Sequence, residues 1–282
     1  MPQTPFRQFR TTVVGATWLS PTFRRVTLGN EALSRMGDVG LDQRAKLVLP
    51  LPGDDPFGHF PADDGHWFHN WRGLPQHERN PIRTVTLRSV RRRARELDVD
   101  IAVHSRVGPL SRWALDCRPG DPVLVIGPDA THPEAASCGI EWRPGPAREV
   151  LLAGDETAAP AICSILESLP RSTTGRAWIE VPSVGDRLEV DSPDGVEVTW
   201  LARHESPAGD ELLEALTGTV RRVHDLDDAQ LWEIGGNPGE AFAWVAGEAS
   251  MVRGLRRHLV ATGWDMESVA LMGYWRRGRS EA

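Results

Sequence analysis

A chain of 282 residues, 40% of them hydrophobic and 25% charged, is expected to be a soluble globular protein of two domains. Its net charge of −7 gives no reason to expect nucleic acid or an anionic membrane as a partner. No stretch approaches the roughly 20 apolar residues of a membrane span, and the first ten residues lack the apolar core of a signal peptide. The three cysteines form no C-x-x-C pair, which excludes a disulfide framework and argues against an iron–sulfur or zinc site. We therefore expect a cytoplasmic protein without membrane insertion.

The first half of the chain has the pattern of a β domain. Short β-branched and aromatic runs alternate with Gly, Pro and Asp turns, which is typical of a small barrel or sandwich. Six strands are expected, at 10–14, 23–28, 46–49, 82–90, 97–104 and 123–126. The segment 50–81, rich in Pro, Gly, Trp and His, is expected to be a long loop whose histidines lack the spacing of metal ligands.

Two stretches of this half could bind a phosphorylated ligand. The strand RTVTLR at 83–88 carries Arg at both ends and hydroxyls between them, with Arg83 and Val85 on one face. The stretch at 104–114 leaves a strand, turns at Gly-Pro and starts a helical turn that Ser111 could cap, where free N–H groups favour an anion. An edge strand with solvated charges and a purely structural turn remain the alternative interpretations.

The second half, beyond a Pro/Gly linker at 143–146, alternates strands and helices. Its first unit is a strand at 149–153, a tight turn from Gly154, and a helix with Pro160 in its first turn and Asp155 and Thr157 as plausible caps. Strands at 176–181, 196–201, 242–246 and 269–272 and helices at 211–216 and 250–262 follow. This order predicts a parallel sheet with helices on both faces, whose strand carboxyl ends are where dinucleotides bind. Because Gly154 stands alone, the turn is not the G-x-G-x-x-G fingerprint of ordinary dehydrogenases.

Six stretches, taken in order, match one known family, and their combination is far more specific than any one of them. They are RTVTLR at 83–88, VDIAVHSRVGPLSRWA at 99–114, PGDPVLVIGPDA at 119–130, LLAGDETAAPAICSILESLP at 151–170, AWVAGEASMVRGLRRHL at 243–259 and MGYWRRGRSE at 272–281. On these residues the chain resembles the siderophore-interacting proteins, the flavin-dependent ferric-siderophore reductases of the ferredoxin–NADP reductase superfamily. The resemblance implies an FAD-binding, six-stranded antiparallel Greek-key β-barrel over 1–147 and an NAD(P)H-binding, doubly wound parallel-sheet domain over 148–282.

The resemblance also implies where FAD would bind. The family's R-x-Y-T flavin strand corresponds here to Arg83, Thr84, Val85 and Thr86. Arg83 would pair with the FAD diphosphate, and Thr86 would bond the edge of the isoalloxazine ring. The diphosphate would also be cradled by backbone N–H groups in the segment that contains His104, Gly108, Pro109, Leu110 and Ser111. Two residues depart from the family pattern: Val85 replaces the Tyr that stacks on the flavin, and Ser105 replaces a Gly.

Further residues are implied for the other two ligands. The nicotinamide site would be lined by Asp155, Glu156, Thr157, Gly247, Glu248 and Ala249. Lys46, the only lysine of the chain, and Arg276 would hold an anionic ferric siderophore. Glu180 at the end of the second strand of this half would favour NADH, whereas Arg176 and Arg187 nearby could receive the 2′-phosphate of NADPH, so the choice stays open.

The implied activity is NAD(P)H-dependent reduction of Fe(III) in a ferric siderophore, without a side chain acting as acid or base. Reduced nicotinamide gives two electrons at once while Fe(III) accepts one, and a flavin converts between the two. Two alternatives remain. One is a flavin oxidoreductase with another acceptor, and the other, suggested by Val85, is a siderophore-binding protein whose flavin site is weakened. The sequence decides neither between catecholate and hydroxamate siderophores nor the oligomeric state.

Overall fold

In the computed structural model, which describes residues 4–104, 108–218 and 231–278, the chain divides into two units. The first comprises the chain up to residue 19 together with residues 23–140, and the second comprises residues 20–22 and the chain from 141 onward. The main division therefore falls just before the Pro/Gly stretch at 143–146.

The first unit is built on one antiparallel sheet. Its strands are β1 (Phe6–Trp18), β2 (Phe23–Gly29), β3 (Arg44–Val48), β4 (Ile82–Thr86), β5 (Ser89–Arg91), β6 (Glu96–Ala102) and β7 (Pro122–Pro128), joined in the order β4-β3-β7-β1-β2-β6-β5. Two helices accompany them, α1 (Trp67–Gly73) and α2 (Pro109–Asp116).

One bent segment supplies both ends of this sheet. The expected single strand at 82–90 is wrong in detail, because the chain turns at Leu87 and Arg88 and passes from β3 to β6. The N–H of Leu87 donates to the Gln43 carbonyl at 2.8 Å, whereas the N–H of Arg88 donates to the Asp98 carbonyl at 3.0 Å. Since β4 and β5 are consecutive, the sheet closes on itself as a barrel of six chain segments.

The barrel is apolar inside and partly covered outside. Alternate residues of its strands fill a buried core that includes Phe9, Val26, Leu28, Leu47, Val85, Leu97, Val99 and Val125. On the outer face, Val48, Ile82, Leu124 and Ile126 are covered by Phe57 and Trp71. The segment 50–81 is therefore more ordered than the predicted loop, since it contains α1 and buries Trp71 against the sheet.

The second unit is a mixed sheet with helices on both faces. Its strands are β8 (Glu149–Gly154), β9 (Thr174–Val181), β10 (Val196–Ala202), β11 (Trp232–Ile234), β12 (Ala241–Glu248) and β13 (Val269–Trp275), in the order β10-β9-β8-β12-β13-β11. The helices are α3 (Ala159–Ser168), α4 (Asp210–Thr217) and α5 (Ala249–Ala261). All neighbouring strands are parallel except β11, a three-residue edge strand that runs antiparallel to β13 and was not predicted.

The two helical layers follow from strand alternation. Ala153 faces the layer of α4 and α5, which buries Leu212 and Leu255. The next residue, Gly154, faces α3, and a Cβ there would lie 2.6 Å from the Cβ of Ala158 and 2.7 Å from the Ala246 carbonyl oxygen. Only glycine fits at this crossing, where the strand passes under the helix that follows it.

The predicted fold class, an antiparallel β domain followed by a parallel-sheet α/β domain, is confirmed. Within the described ranges, none of the helices combines the length and the apolar character needed to cross a membrane.

Candidate functional site

The expected flavin strand, β4, presents its residues to different surroundings. Arg83 is half-buried, and its Nη1 donates to the Ile82 carbonyl at 2.7 Å. Thr84 is exposed, and Thr86 is buried. Val85 is only 9% exposed and belongs to the barrel core. The strand can therefore offer a ligand the Arg83 guanidinium and the Thr84 hydroxyl, while Val85 contributes apolar packing.

The core position of Val85 changes the expected effect of replacing it. A Tyr at this position would add a ring to a closely packed barrel interior, and overpacking typically costs about 1–3 kcal/mol. We therefore expect Val85→Tyr to lower the stability of the barrel rather than simply to add a ring that stacks on a flavin.

Helix α2 starts close to the predicted position but is capped differently. Gly108 is its N-cap and Pro109 its first residue, so Ser111 lies inside the first turn and does not cap the helix. The N–H groups of Leu110 and Ser111 have no acceptor within the helix itself, because the N–H groups of the first turn of an α-helix lack an intrahelical partner. His104, on the other side of residues 105–107, is exposed. Ser105 falls in that gap, outside the described residues.

Arg88, the second arginine of the expected flavin strand, is engaged in a different way. Its Nε lies 3.6 Å from Asp100, whose two oxygens also accept from Arg25 at 2.7 and 2.8 Å. Beside this pair, Arg91 and Thr27 donate to Asp98. Arg88 therefore takes part in a ladder of ion pairs on β2, β5 and β6, and the binding of a phosphorylated ligand across this strand stays a prediction.

The two stretches predicted for nicotinamide do meet at the carboxyl ends of β8 and β12. Asp155 is fully buried there. Its Oδ1 accepts from the Thr157 N–H at 2.9 Å and the Thr157 hydroxyl at 2.5 Å, while its Oδ2 accepts from the Glu248 N–H at 2.7 Å and the Trp275 Nε1 at 2.8 Å. Burial and the neighbouring Glu156 carboxylate raise the pKa of Asp155 to about 7.

Glu248 starts α5 and is buried as well. Its Oε2 accepts from the Ser250 N–H at 2.6 Å and the Met251 N–H at 3.2 Å, and its Oε1 accepts from the Arg277 N–H at 3.2 Å. Burial opposes ionisation, but these donors outweigh it and hold the pKa of Glu248 below its usual value. Gly247 and Ala249 on either side are buried backbone positions. Glu248 is thus a helix cap whose carboxylate also fixes the chain after β13.

Glu156 and Glu180 share one arginine. The Nη2 of Arg203 donates to Glu156 at 2.7 Å, and its Nη1 contacts Glu156 and lies 3.6 Å from Glu180. Glu180 also accepts from the N–H groups of Gly209 and Leu212, at 2.6 and 3.0 Å, which start α4. Burial raises the pKa of Glu180. Because both of its oxygens serve the protein, the suggestion that Glu180 reads a ribose hydroxyl is wrong.

The six predicted nicotinamide residues therefore cluster, but most of their side chains face the interior. Asp155, Glu156, Gly247, Glu248 and Ala249 are buried, and Thr157 is the one half-buried member of the set. Sequence reasoning missed Arg203, which no motif marks. It also assigned no role to Trp275, although Trp275 lies in the matched stretch at 272–281.

The two residues predicted for siderophore binding lie in different units. Lys46 is half-buried on the outer face of β3, between Ile126 of β7 and Thr84 of β4, and its Nζ lies 3.4 Å from the Thr84 hydroxyl. Arg276 is half-buried and directly follows β13. Among the residues that the structure describes, no group of three His, Cys, Asp or Glu side chains is placed to hold a metal ion.

Comparison with known protein families gives two matches that together span most of the chain. A family described as Siderophore-interacting FAD-binding domain matches residues 12–132. A second, described as Siderophore-interacting protein, matches residues 147–278. Apart from residues 20–22, the first match falls in the first structural unit, and the second match falls in the second unit.

Individual relatives agree with these families. The crystal structure of a siderophore utilization protein from T. fusca is 30% identical, covers 99% of this chain and 96% of that chain, and has a TM-score of 0.74. The NADPH-dependent ferric-chelate reductase of Escherichia coli K12 is 28% identical over 94% of this chain and 91% of its own length. The ferric vibriobactin reductase ViuB of Vibrio cholerae is 29% identical over 73% of this chain and 68% of its own length.

The half-buried arginine Arg203 gives a test of the carboxyl edge. Arg203→Met should lower the free energy of unfolding by about 3–5 kcal/mol, because it leaves Glu156 and Glu180 buried without their cation. Arg176→Met is the matched control, since Arg176 pairs with Glu197 at 3.6 Å on the surface, and it should cost less than about 1 kcal/mol. Urea titration at neutral pH measures both, and equal effects would contradict the role of Arg203 as the cation that pairs with Glu156 and Glu180.

Proposed function

Because this chain belongs to the siderophore-interacting protein family, we propose that it is an NAD(P)H-dependent, FAD-containing reductase that converts Fe(III) to Fe(II) and so releases iron from ferric siderophores. The observation that carries the proposal is the alignment with an NADPH-dependent ferric-chelate reductase over 94% of the chain, which spans both units. A cytoplasmic location is part of the proposal, since the reaction uses reduced nicotinamide.

The residues of the first unit fit an FAD diphosphate. Arg83 supplies a half-buried guanidinium on β4, and guanidinium binds phosphate oxygens in pairs. The start of α2 supplies the N–H groups of Leu110 and Ser111 together with the positive end of a helix dipole. On α2, the Trp113 Nε1 is buried with no acceptor among the described residues, so a further polar group belongs beside it. We therefore assign FAD to residues 1–147.

Residues of the second unit suit the nicotinamide cofactor, so we assign it to residues 148–282. The turn after β8 and the start of α5 lie side by side at the carboxyl edge of a parallel sheet, where dinucleotides bind in such folds. Most of the side chains there are buried, so contacts would come from backbone groups, from the Thr157 hydroxyl and from the exposed part of Trp275.

The chemistry that bound FAD supplies is the conversion of a two-electron hydride donor into single electrons for Fe(III). The protein's own residues then have to bind and orient the partners. Fe(III) is a hard ion held tightly by siderophore oxygens, and its reduction to Fe(II) weakens that hold. Neither electron transfer nor iron release requires an acid or base at the iron, which agrees with a site built from positioning residues.

Lys46 and Arg276 are proposed to attract the anionic siderophore. Lys46 pairs with Ile126, which Phe57 and Trp71 cover, and its ammonium group lies 3.4 Å from the Thr84 hydroxyl. A compact ammonium is a point charge that adapts to different oxygens, whereas a guanidinium imposes a planar fork. The charge of each cation would raise the local concentration of an anionic ferric complex.

The function is tested by following the purified protein under anaerobic conditions. We expect a yellow protein whose flavin spectrum bleaches on addition of NADPH or NADH and recovers on addition of a ferric catecholate or hydroxamate, with Fe(II) trapped by a chromogenic chelator. A colourless protein that takes up no FAD would contradict the reductase and favour siderophore binding alone. A protein that bleaches but reduces none of the ferric chelates would point to a different electron acceptor.

Arg83→Ala should weaken FAD binding by roughly 10- to 150-fold, because a charge-assisted contact of about 1.5–3 kcal/mol is lost. Flavin content after dialysis and FAD titration of the stripped protein measure the effect. Arg92→Ala, which removes a surface arginine paired with Asp38, is the matched control and should retain FAD. Equal flavin retention by both variants would remove Arg83 from the site.

Lys46→Ala should raise KM for an anionic ferric siderophore by roughly 3- to 10-fold with kcat little changed, since one cation in a solvent-open site contributes about 0.5–1.5 kcal/mol. Added salt should reduce the difference. Lys46→Arg, which keeps the charge, is the control and should recover much of the affinity, while Lys46→Ala/Arg276→Ala should lose more. Loss of FAD or slower flavin reduction in Lys46→Ala would assign Lys46 to the flavin site or to barrel stability.

A further inference from the structure

One buried carboxylate connects three segments at the carboxyl edge of the second sheet. Asp155 belongs to the turn after β8, Glu248 to the junction of β12 and α5, and Trp275 to the end of β13. The N–H of Glu248 and the indole N–H of Trp275 both donate to the same oxygen, Oδ2 of Asp155, at 2.7 and 2.8 Å. A single side chain thus fixes the position of a helix start and of a half-buried aromatic ring.

The backbone of β12 is packed directly against this carboxylate. Gly247 has a φ of +141°, and a Cβ there would lie 2.6 Å from Asp155 Oδ2 and 2.7 Å from the Met251 Cε. Neither the conformation nor the space admits a side chain. The close approach of Gly247 and the donors from Glu248 and Trp275 all depend on the same oxygen.

The donors around Asp155 require a carboxylate rather than an amide. Oδ1 faces the Thr157 N–H, and Oδ2 faces the N–H groups of Glu248 and Trp275. An Asn would turn its own NH₂ group toward one of these two sides, whichever way it is oriented. A proton, in contrast, can be accommodated on Oδ1, because the Thr157 hydroxyl at 2.5 Å can change from donor to acceptor.

We propose that Asp155 is a positioning residue of the nicotinamide site: it holds the Trp275 indole and the Gly247–Glu248 peptide in their binding positions, and it exchanges a proton with solvent through the Thr157 hydroxyl. A neutral carboxyl oxygen is a weaker acceptor than a carboxylate, so protonation loosens both donors. This inference rests on the proposed function, because it places the nicotinamide cofactor at this edge.

Burial is the main reason that the pKa of Asp155 lies in the neutral range, and the charges around it contribute next. Glu156 is adjacent in the chain and opposes a second negative charge, while Arg203 pairs with Glu156 and with Glu180 and favours it. Glu248, across from Asp155 on α5, is kept ionised by its own donors. The pKa of about 7 for Asp155 means that the carboxylate is populated above pH 7 and lost below it. Affinity for the nicotinamide cofactor should therefore fall as the pH falls through 7.

The link between Asp155 and Trp275 is tested directly by the indole N–H resonance of Trp275 in the flavin-loaded, ¹⁵N-tryptophan-labelled protein. Trp275→Phe identifies the resonance by its disappearance. We expect a downfield proton shift that titrates with a midpoint near 7 in the wild type and does not titrate in Asp155→Asn. Thr157→Ser, which keeps the hydroxyl, should retain the titration, and Thr157→Val should displace its midpoint. A resonance that is insensitive to pH in the wild type overturns the proposal.

The positioning role is tested by NADP⁺ binding, measured by calorimetry at pH 8 on the oxidised protein without turnover. Asp155→Asn should weaken binding about 10-fold or more, and Trp275→Phe, which keeps a ring but removes the donor, should weaken it several-fold. Asp186→Asn is the matched control: Asp186 is equally buried in the same unit and accepts from the Ser183 N–H at 3.1 Å. It should lower the melting temperature but change NADP⁺ affinity less than 2-fold.

The outcomes separate this inference from the proposed function. If Asp155→Asn does not fold, Trp275→Phe and the wild-type titration still decide the proposal. Unchanged NADP⁺ affinity in Trp275→Phe and in any folded Asp155→Asn, or an equal loss in Asp186→Asn, overturns the positioning role. A wild-type protein that binds neither NADP⁺ nor NAD⁺ overturns the nicotinamide assignment itself, whereas the indole titration then still reports whether Asp155 holds Trp275.

Discussion

The burial of carboxylates at the carboxyl edge of the second sheet is the constraint on which the arrangement of its loops depends. Asp155, Glu156, Glu180 and Glu248 are all less than 4% exposed. An isolated buried charge costs several kcal/mol, which is comparable to the whole stability of a domain. Each carboxylate is therefore tolerated only because a neighbouring segment supplies donors, and each of these segments is thereby fixed in place. The loops at this edge are thus held by ion pairs and hydrogen bonds within the protein, without a contribution from a ligand.

The barrel of the first unit obeys a related requirement, satisfied by backbone groups. An open sheet leaves two rows of unpaired N–H and C=O groups. The bend at Leu87 and Arg88 resolves this, because one chain segment supplies the partner for β3 and then the partner for β6. The consequence for the ligand site is that Val85, just before the bend, faces a closed interior. The residue that the family pattern places against a flavin serves here as barrel core.

The sequence predicts the local features well and the long-range ones poorly. Alternation and turn residues are local, so most of the strands, the order of the two domains and the presence of α3 and α5 follow from them. The predicted caps of α3, Asp155 and Thr157, are wrong, because Ala158 is its N-cap and no side chain caps the helix. The bend at Leu87 depends on Gln43 and Asp98, and β11, with three residues, is too short to give a pattern. At the site, the motif correctly brings Asp155 to the sheet edge. Its burial depends on donors 93 and 120 positions away, which no local pattern contains.

The reaction explains why the residues at this edge orient other groups rather than react themselves. Transfer of a hydride and then of single electrons needs no acid or base, so the site does not require a reactive side chain. The rate then depends on the distance between the reacting groups and on their orientation. In such a site a buried carboxylate is useful because it fixes the Gly247–Glu248 peptide and the Trp275 indole at the same time. An amide could not replace it, because its NH₂ group would face one of the donors. The same burial brings the pKa of Asp155 to about 7. The carboxylate that holds these segments is therefore sensitive to pH, and protonation of Asp155 loosens the segments that it fixes.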